Sequence, residues 1–415
     1  MIDIDYNHEL KARIKVIGVG GGGNNAVDRM IEEGIENIDF LCANTDSKAL
    51  GRSKASIRLQ LGEKLTRGLG AGGKPEMGRR AAEETRDMIG NAIDNTDLLF
   101  ITAGMGGGTG TGAAPVIASI AREKGILTVG VVTKPFLFEG GPRMRNAIAG
   151  INELKKNVDT LVIIPNERLL TLVGDDVSLV DAFRRADEVL RQGVLGISGV
   201  ILDDGLVNLD FADVSTVMKD QGIAHMGIGR ASGKNKIETA IREAITSPLL
   251  ETSIRGAKGV IISFTGDSSI GLKSISAASA LVVGELDSDA EVMFGATIDD
   301  TLKDEIMVTV IATGLEDAPH EVQFLHRPIG GGEGYARERE PQLDYIPGPG
   351  ARGGAPAGGM RGMDPYGDDG PPDIQTANDE RDDPRPIRES NFRLLNEDMA
   401  TPPFLRDWKS RRDRG

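Results

Sequence analysis

Short apolar runs alternate with longer amphipathic stretches through the first two-fifths of the chain. The runs at residues 14 to 19, 38 to 43, 97 to 102, 126 to 132 and 160 to 164 are evenly apolar, as strands buried on both faces are. The segments between them have helical length, so the pattern predicts a parallel sheet covered on both sides, an α/β class. From Asp176 to Ile201, Leu179, Phe183, Ala186, Leu190, Val194, Ile197 and Ile201 recur at steps of three and four. That spacing predicts one long helix buried along a stripe and linking two domains. A second, smaller α/β segment follows at about 222 to 316, with strands at Val260 to Phe264 and Met307 to Ala312 and a helix from Ile270 to Val283. After about His320 the composition turns to Gly, Pro, Asp, Arg and Glu, which predicts a disordered tether.

Glycine enters where strands end. Gly106-Gly107-Gly108-Thr109-Gly110-Thr111-Gly112 sits between the strand ending at Thr102 and an apolar helix that carries Pro115 early, in the expected first turn. Gly18-Val19-Gly20-Gly21-Gly22-Gly23-Asn24-Asn25 sits between the first strand and a helix from Ala26. A strand feeding glycines into a helix N-terminus lets backbone N–H groups and the positive end of the helix meet phosphate oxygens. Two such turns suggest a phosphate chain gripped from two sides. Because ligands of parallel sheets bind beyond the carboxyl ends of strands, both turns should converge on one rim with Asn44, Thr133 and Asn166. Gly68 to Lys74 imitates a P-loop, but Pro75 stands where Ser or Thr should hold Mg²⁺, which excludes that reading.

Composition narrows the classes. A net charge of −15 disfavours nonspecific nucleic-acid binding, which depends on cationic neutralisation of phosphates. The single cysteine, Cys42, excludes an internal disulfide framework and reads as a small core residue. His225 has no Cys or His at metal-ligand spacing, and no metal site is expected. The first residues are acidic, so no secretory leader is expected, and no run of about twenty apolar residues offers a membrane span.

GGGTGTG is the tubulin signature, and from about residue 12 to about 316 the chain resembles the tubulin/FtsZ family in its bacterial branch. Asn44-Thr45-Asp46, Ala71-Gly72-Gly73-Lys74-Pro75, Thr133 to Gly140 and Asn208 to Asp213 stand in the family's order. The resemblance implies a Rossmann-like GTP-binding domain over 1–175, a central helix over 176–201 and an activation domain over 202–318. A linker over 319–390 and a docking peptide over 391–415 complete it. It implies GTP as substrate, Mg²⁺ with the phosphates, and head-to-tail self-assembly into protofilaments of a cytokinetic ring, in the cytoplasm under the membrane.

In the implied site, Gly21, Gly22, Gly23, Asn24, Asn25, Asn44, Ala71, Gly72, Gly73, Gly107, Gly108, Thr109, Gly110 and Thr133 surround the nucleotide. Glu139 and Arg143 contact ribose and phosphate. Phe183 and Asp187, four apart on one helix face, would stack on and read guanine together with Asn166. Asn208, Asp210 and Asp213 would complete catalysis on the neighbouring subunit, because the long helix separates them from the rim. Near the end of the chain, Phe404, Leu405, Arg406 and Trp408 form a candidate docking motif for a membrane anchor or regulator, among basic residues. Two other readings stand beside this one. Gly18, Gly20 and Gly23 with Asp39 or Asp46 fit a dinucleotide-binding oxidoreductase, and a non-hydrolysing scaffold of the same fold would polymerise without turnover.

Overall fold

A computed structural model describes residues 12–35, 37–172, 178–202, 205–250, 253–286 and 288–315. The first part of the chain forms β1 (Ile14–Val19), α1 (Gly20–Glu32), β2 (Ile38–Asn44), α2 (Ser47–Leu50), β3 (Ile57–Gln60), α3 (Glu63–Thr66), α4 (Pro75–Glu84) and α5 (Arg86–Ala92). Next come β4 (Leu98–Gly104), α6 (Thr109–Glu123), β5 (Leu127–Lys134), α7 (Gly141–Lys155), β6 (Thr160–Pro165), α8 (Asn166–Leu169) and α9 (Leu179–Leu202). Then follow α10 (Phe211–Met218), β7 (Gly222–Ser232), α11 (Lys236–Ile245), β8 (Gly259–Gly266), α12 (Leu272–Val283), β9 (Glu291–Ile298) and β10 (Glu305–Thr313).

The strands form one ten-stranded sheet in the order β3-β2-β1-β4-β5-β6-β7-β10-β8-β9. Every pair from β3 to β7 is parallel, while β10 runs antiparallel to both β7 and β8. The two halves meet where Thr160, Leu161 and Val162 pair with Gly222, Ile223 and Ala224. Alternation along the strands divides the core. Leu98 and Phe100 of β4 face α1 and α9, whereas Leu99, Ile101 and Ala103 face α6 and α7. A third core packs β8 and β10 against α11 and α12.

All seven expected strands are present, and β3, β7 and β9 join them. β7 escaped the apolar pattern because it carries glycines. A Cβ on Gly227 or Gly229 would lie 2.0 Å from the Ala244 or Ala240 carbonyl oxygen, so α11 sits directly on the strand backbone. Helix boundaries differ as well. Both glycine-led helices start inside their glycine runs, α1 at Gly20 and α6 at Thr109, which leaves Pro115 in the interior of α6. The missing Pro115 N–H there frees the Thr111 carbonyl from its helical partner. In α9, the expected stripe is buried at Ala186, Leu190, Val194 and Ile197, but Leu179 and Phe183 are exposed. The first turns of this helix extend past the core.

Candidate functional site

Each glycine run enters the first turn of a helix, where backbone N–H groups lack an intrahelical carbonyl partner; in the second run Gly106 N donates to Thr111 Oγ1 at 2.8 Å and Gly112 N to Gly108 O at 3.1 Å. Neither α1 nor α6 has a side-chain cap or an acidic residue in its first turn. Contacts within the polypeptide explain most of the glycines. A Cβ on Gly23 would stand 2.2 Å from the Thr102 carbonyl oxygen, one on Gly20 2.8 Å from Gly110 N, and one on Gly110 2.9 Å from the Gly104 carbonyl oxygen. The two helix N-termini are therefore packed backbone to backbone. Gly21 and Gly107 are different: neither has a positive φ, and a Cβ on either would meet nothing within 4 Å. These open positions flank the two unfilled N-termini, where an anion is stabilised.

The remaining rim residues gather on the same framework. Asn24 is buried, and its amide nitrogen spans the turn to the carbonyls of Gly18 (2.9 Å) and Gly20 (2.8 Å), while Asn25 is exposed. Asn24 thus clamps the loop from inside. Asn44 accepts from Asp46 N, and Thr45 Oγ1 lies 2.6 Å from Thr109 Oγ1, tying the end of β2 to the start of α6. Ser47 N donates to Gly68 O and Gly70 N to Thr45 O, which folds the next loop over the rim. Ala71 reaches Gly108, whose Cβ position is 2.8 Å from Ala71 Cβ, and Gly72 and Gly73 follow in left-handed backbone with open space around them. Thr133 is buried beneath, its carbonyl accepting from Met105 N.

A second group of the expected site residues lies further along α1 and α9. Glu139 Oε2 pairs with Arg143 Nε at 2.9 Å while its Oε1 accepts from Phe136 N. Gly106 rests on Arg143, its Cβ position 2.7 Å from Arg143 Cγ. This joins the pair to the glycine run. Phe136 is buried and meets Phe183 edge to face at 5.4 Å, leaving Phe183 40% exposed and free to present a ring face. Asn166 is buried, and among the described residues its Oδ1 has no hydrogen-bond partner. Asp187 is also buried and accepts from Arg29 Nε at 3.0 Å. Burial pushes its carboxyl up to about 6, against the downward pull of Arg29. Arg29 stands nine residues after Gly20, about 13 Å along α1, so the glycine run and the Asp187 contact are spaced along one helix.

The acidic loop lies elsewhere. From Asp187 to Leu202, α9 advances about 22 Å before the chain reaches it. Asn208 accepts from Gly205 N, and Val207 pairs with Ala296 of β9. Asp210 occupies the N-cap position of α10 without capping it, and Asp213 lies in its first turn. Both are exposed, and among the described residues neither carboxylate has a hydrogen bond or ion pair.

Several readings are decided by placement. Asp46 caps α2 by accepting from Ala49 N, and Asp39 pairs with Lys15 at the amino end of β2, away from the rim, so neither serves as the ribose acid of a dinucleotide fold. Burial pushes the Cys42 thiol up to about 11, leaving it inert at neutral pH. His225 is buried within β7, and among the described residues no group of three or more potential metal ligands occurs. The tail residues Phe404, Leu405, Arg406 and Trp408 lie outside the described residues. Arg29, Thr45 and Phe136 were not singled out from sequence. For Arg29 a signal existed, since Asn25 and Arg29 are four apart on α1 and share a face.

Comparison with known proteins agrees with this geometry. Residues 13–174 match the family model for the Tubulin/FtsZ family GTPase domain, and residues 222–316 match the FtsZ family C-terminal domain. An empty FtsZ dimer from M. jannaschii is 46% identical with a TM-score of 0.72, covering 74% of this chain and 89% of that one. A mutant of FtsZ from the same organism also has 46% identity and a TM-score of 0.72, with 74% and 92% coverage. CetZ2 from Haloferax volcanii, solved as a GTPγS-bound protofilament, is 20% identical at TM-score 0.62, with 74% and 94% coverage, and shares the fold. Matched in both halves and alike in structure, the chain belongs to the FtsZ branch of the tubulin/FtsZ family and is a polymerising GTPase.

Proposed function

We propose that the protein assembles head to tail into protofilaments of a cytokinetic ring, and that GTP is hydrolysed only where two subunits meet. The observation that carries this reading is the separation of the free carboxylates from the glycine rim. Asp210 and Asp213 stand beyond the far end of α9, and the rim lacks any acidic group in the first turns of α1 and α6. One copy holds the phosphates and the next supplies the acid. Such a contact is heterologous, and a heterologous contact that does not close forms a filament.

In this mechanism the N–H groups of Gly21, Gly22, Gly107, Gly108 and Gly110, with the Thr109 hydroxyl, bind the β- and γ-phosphate oxygens. They stabilise the charge that grows there in the transition state. Glu139 and Arg143 orient ribose and phosphate, while Asn166, Phe183 and Asp187 hold the guanine. Asp210 and Asp213 of the adjoining subunit, with Asn208, position and polarise a water. Its oxygen attacks the γ-phosphorus as the bond to the β-phosphate oxygen breaks, giving GDP and phosphate, and the proton passes to the carboxylates and solvent. Mg²⁺ accompanying the triphosphate would supply further charge neutralisation at the phosphate oxygens; among the described residues no group of three or more potential metal ligands occurs to hold it apart from the nucleotide.

Membrane attachment would fall to the tail. Among the described residues no helix is long and apolar enough to cross a membrane, which supports a ring tethered through an anchor protein that docks on Phe404, Leu405, Arg406 and Trp408. The test of shared catalysis is GTPase activity against protein concentration. Specific activity should rise steeply above a threshold, and Asp213→Ala should abolish turnover while monomers keep their GTP affinity. Activity strictly proportional to protein, or GTP affinity lost in the variant, would overturn the shared site.

A further inference from the structure

Asp187 of α9 reaches across to another helix, where it meets Arg29 of α1. Its single hydrogen bond among the described residues comes from Arg29 Nε to Oδ2 at 3.0 Å, which leaves Oδ1 without a partner. The pair is sheltered, with 13% of the Asp187 side chain and 35% of the Arg29 side chain exposed. A lone buried carboxylate is easily neutralised, and a neutral acid offers guanine one acceptor and a competing donor. We infer that Arg29 is a positioning residue for base recognition: by gripping one lone pair of Oδ2 it keeps Asp187 ionised and holds the carboxylate so that both of its oxygens can accept from the N1–H and 2-amino donors of guanine. This rests on the reading of Asp187 as the base reader.

The surrounding charges leave that task to Arg29. On α9 the next acidic group, Glu188, is engaged by Arg191 at 2.6 Å and by Arg230 of β7 at 3.6 Å. Arg191 also bonds Glu33, the residue that follows α1, at 3.0 Å. Glu32 of α1 pairs with Lys54 at 2.6 Å. Arg191 and Lys54 are thus committed to partners of their own, and among the described residues Arg29 is the charged group that acts on Asp187, both through its charge and through its hydrogen bond. Burial alone drives the Asp187 carboxyl upward and Arg29 opposes it, so removing Arg29 should move the ionisation into the neutral range.

The test uses the full chain below its assembly threshold, titrated calorimetrically with GTP and with inosine triphosphate, which lacks the 2-amino group, from about pH 5 to about pH 8.5. For the parent, GTP affinity should be constant above about pH 7 and fall about tenfold per unit once the pH drops below the Asp187 midpoint near 6. In Arg29→Met and Arg29→Gln the midpoint should rise by about one unit or more, and the preference for GTP over inosine triphosphate should shrink. Arg29→Lys, which keeps the charge, should retain the parental midpoint. An unchanged midpoint in the neutral variants, whether binding is as strong as before or uniformly weaker, would overturn the inference. The companion variant Asp187→Asn separates the two readings: if it binds both nucleotides with the parental pH profile, the base reader itself is misassigned.

Discussion

Gly21 and Gly107 allow the phosphate cradle to be tested apart from the fold. In most cradles a glycine substitution confounds the two, because the added methyl strikes the protein as well as the ligand. Here a Cβ at either position meets nothing within 4 Å, and neither backbone is left-handed. Gly21→Ala, inside α1, should therefore raise stability by up to about 1 kcal/mol through helix propensity, and Gly107→Ala should change it by no more than about 0.5 kcal/mol. The same methyl stands where phosphate oxygens must approach the N–H groups. Losing one or two charge-assisted hydrogen bonds, at about 1.5–3 kcal/mol each, should weaken GTP binding by about 10-fold to well over 100-fold. Gly23→Ala is the contrasting variant. Its Cβ lies 2.2 Å from the Thr102 carbonyl oxygen, deep in the backbone, and should cost about 1–3 kcal/mol or more in the nucleotide-free protein. The assay pairs nucleotide-free thermal melts with equilibrium GTP binding. Parental affinity in both Gly21→Ala and Gly107→Ala would place the phosphates elsewhere.

Asp187→Asn should weaken GTP binding about 10- to 100-fold, since the amide accepts from only one guanine donor and loses the charge; equal affinities of variant and parent would remove Asp187 from the base pocket. Deleting residues 399–415 should leave GTP-driven assembly, followed by light scattering, largely intact while abolishing recruitment by a membrane anchor. Robust sedimentation of the full chain with anionic liposomes at physiological salt, without an anchor protein, would instead indicate direct lipid binding by the basic tail residues.

The strands that position the site were legible because a parallel sheet covered on both faces needs consecutive apolar residues, as in Leu98 to Ile101 and Leu161 to Ile164. The glycine runs were legible for a related reason: apolar flanks on both sides exclude a solvated linker. Edge and glycine-bearing strands were not. Ile57-Arg58-Leu59-Gln60 of β3 is four residues long and half-buried at the margin of the sheet, and β7 gives up side chains so that α11 can approach. The phase of α9 was half legible. Spacing identified the stripe from Ala186 to Ile197, but could not show that Leu179 and Phe183 run on past the core and become exposed. Arg29 was hidden because its partner lies 158 residues away, and periodicity within one helix carries no information about which neighbour it meets.

Asn166 Oδ1 is buried and has no hydrogen bond among the described residues, a condition that costs about 1–3 kcal/mol. On the proposed reading of Asn166 as a base contact, a guanine nucleotide that satisfies this oxygen would recover the cost, and GDP presents the same base as GTP. The base half of the proposed pocket would then act as a retaining grip that does not distinguish fuel from spent product. Discrimination between the two would be left to the phosphate half, at the open glycines. Under that proposal a subunit would stay loaded throughout its working cycle and display its age, as a missing γ-phosphate, only on the face it offers to the next copy.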